Sequence, residues 1–113
     1  MEFNITISEK TQYHPFFSMG SNLGYYIDNL PGETLKLSRG SVYKFKINTP
    51  GNPFYFTTDK QGGAGYPLLS LMDDQDQIIE TGTLTWRVPS YVPSHFYYQS
   101  ITNSYVGGNV IIE

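Results

Sequence analysis

The sequence predicts an all-β sandwich, and three observations carry that expectation. Apolar residues recur at every second position in short runs: Leu84, Trp86 and Val88 alternate with Thr83, Thr85 and Arg87, and Tyr43, Phe45 and Ile47 alternate with Lys44 and Lys46. This is the period of a strand with one face in a core and the other in water. Turn-forming residues bound the runs, as in Asp28-Asn29-Leu30-Pro31-Gly32, Asn48 to Pro53, and Gly107-Gly108. No stretch keeps a helical period over the length of an ordinary helix. The sum is about seven to eight short strands in antiparallel sheets. At 113 residues, positions 1–113 read as one domain able to bury a single core.

Taken in order, Phe3, Ile5 and Ile7 give a first strand that ends near Glu9. Thr11 to Gly24 mixes Tyr13, His14, Pro15, Phe16 and Phe17 with Ser, Asn and Gly, and reads as a long connection with aromatic anchors. Tyr25 to Ile27 form a short strand before the turn at Asp28 to Gly32. Thr34 to Leu37 and Val42 to Ile47 have the pattern of a hairpin, with Ser38 to Ser41 as its turn and Gly40 free to take positive φ. Phe54 to Thr58 is a further strand. Asp59 to Gln77 lacks a strand period; Leu68 to Met72 is an apolar run with the length of a helical turn, and Ile78-Ile79 can begin a strand. Thr83 to Val88, the strand holding Phe96 and Tyr98, and Val110 to Ile112 complete the set.

Composition excludes several classes. Without cysteine there is no disulfide framework and no thiol chemistry. The formal net charge is −3, and the lysines of Lys36 to Lys46 alternate with apolar residues, as on the wet face of a strand, so nucleic acid is not the expected partner. The N-terminus has no basic segment followed by an apolar run, and nothing approaches the roughly 20 apolar residues of a membrane span. Neither a signal peptide nor membrane insertion is expected, and the localisation stays open.

The segments Thr85-Trp86-Arg87-Val88-Pro89, Tyr97-Tyr98-Gln99-Ser100 and Val106 to Ile112 resemble the second half of a cupredoxin-like domain of the plastocyanin and azurin type. In that frame a strand ends in Cys, His follows after two residues, Met after two more, and a glycine leads into the last strand. Gly51-Asn52-Pro53-Phe54 stands where many such domains carry the first copper histidine. The resemblance implies a Greek-key sandwich, and it implies that Asn52, Ser100, Asn103 and Val106 occupy the four ligand positions. A blue-copper centre needs two imidazoles, a thiolate and a weak axial group. The resemblance therefore implies the frame without its metal, and no cofactor is expected. It also implies that the loops of Asn52, Ser100, Asn103 and Tyr105 meet at one end of the sandwich.

Other candidate sites are sparse. Asp73, Asp74 and Asp76 have the oxygen chemistry of a calcium site, but the offsets and helices of an EF-hand are absent, and a solvated loop is the favoured reading. His14 and His95 are the only imidazoles, and both read as hydrogen-bonded loop or surface residues. There is no Cys nucleophile and no G-x-S-x-G elbow, and Gly62-Gly63-Ala64-Gly65 lacks the Lys-Ser/Thr of a phosphate loop. No enzyme activity is expected. The informative excess is ten tyrosines and seven phenylalanines. Rings at sheet positions belong to the core. Tyr13, Phe16, Phe17, Tyr25, Tyr66, Tyr91 and Tyr105, in or beside loops, are candidates for contact with another protein. The expected function is a metal-free structural or assembly module whose partner is another protein or itself, with a virion or other surface assembly as one setting. The alternative is a carbohydrate or small-ligand module using Asn52, Asn103, Tyr91 and Tyr105. Copper electron transfer is the default of the resemblance that the ligand chemistry opposes.

Overall fold

Side chains that alternate along a strand can bury only one face, so the strands must stack their apolar faces in two layers. The structure, a computed structural model, describes residues 1–63, 71–72 and 78–113. Among them are β1 (Glu2–Glu9), β2 (Leu23–Ile27), β3 (Leu30–Pro31), β4 (Leu35–Leu37), β5 (Val42–Asn48), β6 (Phe54–Thr57), β7 (Thr81–Arg87), β8 (His95–Ser100) and β9 (Gly108–Ile112). The first sheet runs β3-β2-β1-β5-β7 and the second β4-β9-β8-β6. No helix among the described residues is long and apolar enough to cross a membrane.

The two inner faces meet in an aromatic core. Phe45, Trp86 and Tyr25 from the first sheet face Phe54, Phe56, Phe96 and Tyr98 from the second, all with almost no exposure. Phe56 stacks on Trp86 with ring centroids 4.1 Å apart, joining the layers between their edge strands β6 and β7. Two core tyrosines keep their hydroxyls satisfied: Tyr25 Oη donates to Asn52 O at 2.6 Å and Tyr98 Oη to Glu33 O at 2.7 Å. Burial pushes both phenols well above their ordinary range, so they act as neutral donors.

Three features depart from the sequence reading. The sheets are mixed, since β1 runs parallel to β5 and β4 parallel to β9, while the other pairs are antiparallel. The segments around Leu37 and Val42 are no hairpin: β4 lies in the second sheet beside β9, and β5 lies in the first between β1 and β7. The Ser38–Ser41 turn, closed by Ser41 N to Ser38 O at 3.2 Å, therefore carries the chain from one layer to the other. Both strands bury one face, as read, but alternation does not say which neighbour each one takes. The turn at Asp28 is also tighter than expected. Asp28 and Asn29 both take positive φ, as a two-residue hairpin turn requires, so Leu30 and Pro31 already belong to the returning strand.

Ile79 pairs with Phe54 in an isolated bridge rather than starting a strand. Leu71 and Met72 are partly buried against the core, and Leu71 N donates to Phe56 O at 2.9 Å. The rest of the apolar run, Leu68 to Ser70, lies outside the described residues, as do Tyr66 and the acidic group Asp73, Asp74 and Asp76.

Candidate functional site

The parallel pairing of β1 with β5 brings the C-terminal ends of both strands to one end of the sandwich. The loop after β1 (10–22), the turn after β5 (49–53), the segment after β6 and the loop between β8 and β9 all converge there. Thr49-Pro50-Gly51-Asn52 closes tightly, with Asn52 N donating to Thr49 O at 2.9 Å and Gly51 at φ +81°. The carbonyl of Asn52 accepts from Tyr25 Oη at 2.6 Å and from Thr49 Oγ1 at 2.8 Å. That fixes the residue, and its side chain turns to the end of β8.

There Asn52 Oδ1 accepts from Ser100 Oγ at 3.0 Å and from Asn103 Nδ2 at 2.8 Å. Ser100 Oγ in turn accepts from Thr102 N at 3.2 Å, and Thr102 Oγ1 donates back to Gly51 O at 2.7 Å. Asn52 and Ser100 are buried and Asn103 is half-buried. Asn52 is thus joined in one hydrogen-bonded cluster to Ser100 and Asn103, which lie 48 and 51 positions further along the chain. Its chemistry is limited. The hydroxyl hydrogen of Ser100 points at an amide oxygen, which is no base, so nothing activates the hydroxyl as a nucleophile. The fourth position, Val106, is wholly buried and contributes its carbonyl, not its side chain. Neutral amides and a hydroxyl already bonded to one another do not fit copper, which wants thiolate and imidazole. Among the described residues no group of three or more His, Cys, Asp or Glu is placed to hold a metal.

Asn52→Ala removes the acceptor that both Ser100 and Asn103 use and leaves the Ser100 hydroxyl buried. A loss of about 2 kcal/mol in urea denaturation is expected. A loss under about 0.5 kcal/mol would show that solvent replaces the amide without cost.

His14 is the second organising residue, and it is buried, with 3% exposure. Its Nδ1 accepts from Phe16 N at 3.0 Å, which makes Nε2 the protonated nitrogen that donates to Val106 O at 3.1 Å. The ring therefore bolts the 10–22 loop to the loop after β8. Lys10 adds to the same loop by donating to the carbonyls of Phe16, at 3.0 Å, and Met19. An open pocket lined by Glu9, Lys10, Phe17, Ser18, Ser21 and Asn22 lies beside it. Burial lowers the pKa of Lys10. His95, by contrast, is exposed on the outer face of the second sheet and sits 2.8 Å from Asn109 Oδ1.

The loop aromatics divide. Tyr13 and Phe17 are 75% and 50% exposed on the 10–22 loop, with Met19 beside them. Tyr91 is 67% exposed but lies between β7 and β8, at the other end of the sandwich from Ser100. Tyr105 is half-buried against Phe16, their rings 5.2 Å apart. Phe16 and Tyr25 are corrected as contact residues: Phe16 closes over the loop, and Tyr25 points inward from β2 into the core. Tyr91 lies at the other end of the sandwich from Asn52, Asn103 and Tyr105, and Asn52 Oδ1 already accepts two hydrogen bonds, so the residues named for sugar binding are not brought together on one surface.

Sequence reasoning passed over Gln99 and read Gly107 only as a break before the last strand. Gln99 stands on the outer face of β8 yet has no exposure, because its Nε2 donates to Lys60 O at 2.7 Å and its Oε1 accepts from Gly107 N at 2.8 Å. The segment at Gln61 to Gly63 covers it, with Gly63 N donating to Ser100 O at 2.8 Å and Tyr105 N to Gln61 O at 2.7 Å.

No protein-family profile matches the chain, and no curated protein matches it. Solved structures do. A rusticyanin variant aligns with a TM-score of 0.56 at 12% identity, over 99% of this chain and 77% of that one. Reduced rusticyanin gives 0.52 at 12%, over 99% and 79%. A further rusticyanin structure, described as a copper protein, gives 0.53 at 14%, over 99% and 78%. At such identities the likeness speaks of the fold alone, and the fold is that of a cupredoxin.

Proposed function

We propose that this chain is a metal-free, non-enzymatic cupredoxin-like module with a structural or assembly role, in which Asn52, Ser100, Asn103 and Val106 stand at the ligand positions of a copper site that the chain does not form. One observation carries the reading. At the end of the sandwich where the resemblance puts those ligands, the Ser100 hydroxyl and the Asn103 Nδ2 group both donate to Asn52 Oδ1. A cluster of this kind ties the loops together, which is the mechanical part of what a metal would do there. Tyr13 and Phe17, exposed at the same end, supply the apolar contact area through which such a module docks. The setting we assign is a protein assembly, of which a virion surface is one instance.

Native mass spectrometry with copper supplied tests the metal-free part. The expected spectrum holds the mass of the bare chain and its multiples, and a stoichiometric copper adduct would overturn the reading. Tyr13→Ser with Phe17→Ser tests the assembly part, because higher species that dock through this end weaken when the rings are removed.

A further inference from the structure

We infer that β7 is a self-pairing edge through which two copies of this chain join their first sheets. The inference deepens the assembly reading above and rests on it. Its source is the direction of the main-chain groups. Glu80 O accepts from Thr49 N at 2.7 Å, and Val88 bonds to Ser41 O at 2.9 Å and Gly40 N at 2.8 Å. The β5–β7 register runs unbroken between these points, from Asn48↔Thr81 to Val42↔Arg87. Antiparallel pairs alternate, so the even-numbered residues of β7 bond to β5. Thr81, Thr83, Thr85 and Arg87 therefore aim their N–H and C=O groups away from the sheet, and no hydrogen bond satisfies those groups.

The other three edges are closed to pairing. β3 has two residues and ends in Pro31, and β4 has three. β6 has four residues, and its outward side is already engaged, with Phe54 N donating to Ile79 O at 3.0 Å and Leu71 N to Phe56 O at 2.9 Å. Among the described residues β7 alone presents a long open edge, of seven residues. Natural edges of this kind carry lysine, proline or a bulge that discourages pairing. Here Thr81, Thr83 and Thr85 are exposed, and no charged or proline residue lies between Glu80 and Arg87.

The occupant that fits is a second copy. With a two-fold axis at Leu84, all four open residues find partners: Thr83 faces Thr85 of the second copy and Thr81 faces Arg87, giving about eight main-chain hydrogen bonds. Threonine opposite threonine is a favourable cross-strand pair. A foreign strand would need pockets for its alternate side chains, whereas this edge offers a row of exposed threonines. An edge-only contact is small, and association in the micromolar range or weaker is expected.

Sedimentation velocity from about 10 to about 500 µM reads the outcome. The wild-type chain is expected to form a dimer over that range. T83E/T85E places carboxylates opposite one another across the axis while setting each beside Lys46 or Lys44 of β5, so the fold is supported and the dimer is opposed. Its dissociation constant should rise at least about tenfold. T83E/T85K puts opposite charges across the axis and should restore pairing. A wild-type chain that stays monomeric throughout, or a dimer indifferent to T83E/T85E, overturns the inference. In the second case, loss of association in Tyr13→Ser with Phe17→Ser would leave the assembly reading standing without the edge, whereas indifference to both variants would remove both.

Discussion

Gly107→Ala is expected to leave the chain unfolded or nearly so at room temperature. A Cβ at this position would lie 1.6 Å from Tyr98 O, 2.6 Å from Tyr98 C and 3.1 Å from Gln99 Cα, all of them main-chain atoms. No rotamer change can relieve such a contact; the returning loop must move off β8. That loop is held from several sides. Gly107 N donates to Gln99 Oε1 at 2.8 Å, and Val106 O accepts from Tyr25 N at 2.8 Å and from His14 Nε2 at 3.1 Å. Displacing it breaks these bonds and shifts β9, so the loss should exceed about 4 kcal/mol, in the range reserved for main-chain clashes and core disruption. Gly40→Ala is the internal control. That glycine sits at φ +80° with open space around it, so alanine there meets only backbone strain, about 1 kcal/mol. Equilibrium unfolding of the two variants side by side separates the effects. A Gly107→Ala chain within about 1 kcal/mol of wild type would mean that the loop does not press on β8 as described.

The contrast between these glycines shows what a sequence can and cannot carry. Gly107-Gly108 reads as a break before the last strand, but the reason for it is a contact with Tyr98, made only after the chain has returned. The strand faces were legible for a local reason: Leu84, Trp86 and Val88 repeat at the pleat period, and all three are buried. Neighbours were not, since the parallel β1–β5 and β4–β9 pairs join segments whose alternation is the same in any partner's company. Gln99 escaped notice because a polar residue on the outer face of a strand reads as wet, and the cover that keeps it dry comes from Lys60 and its neighbours. For the candidate site, the meeting of Asn52, Ser100 and Asn103 was legible through a resemblance, not through composition. His14 was legible as a hydrogen-bonded loop residue but not as a bolt, for its acceptor at Val106 lies 92 positions away.

Acidification is expected to release that bolt. His14 is neutral in the folded chain, with Nδ1 accepting from Phe16 N and Nε2 donating to Val106 O, and both nitrogens are used to capacity. A second ring proton would face the Phe16 N–H. Burial is the main cause that lowers the His14 pKa to about 4; the Lys10 ammonium pushes the same way, and the Val106 carbonyl opposes them. The unfolded chain takes up its proton near 6.5, an ordinary imidazole value. The neutral ring therefore contributes its full stability above about 6.5, and that contribution is lost as the pH falls towards 4, at no more than about 1.4 kcal/mol per unit. Between pH 7 and pH 5 the loss from this residue should be about 1 to 2 kcal/mol, allowing for screening of a ring just under the surface. His14→Asn is the informative comparison, because its amide oxygen can still accept from Phe16 N and cannot titrate. His14→Ala loses both hydrogen bonds and leaves a hole beside Gly24 and Gly32, at each of which a Cβ would run into the imidazole. It should cost about 3 kcal/mol at pH 7. The Asn variant should cost less at pH 7 and show a shallower fall towards pH 5. Equal slopes in wild type and His14→Asn would place the acid sensitivity elsewhere and deny His14 its part in holding the two loops together.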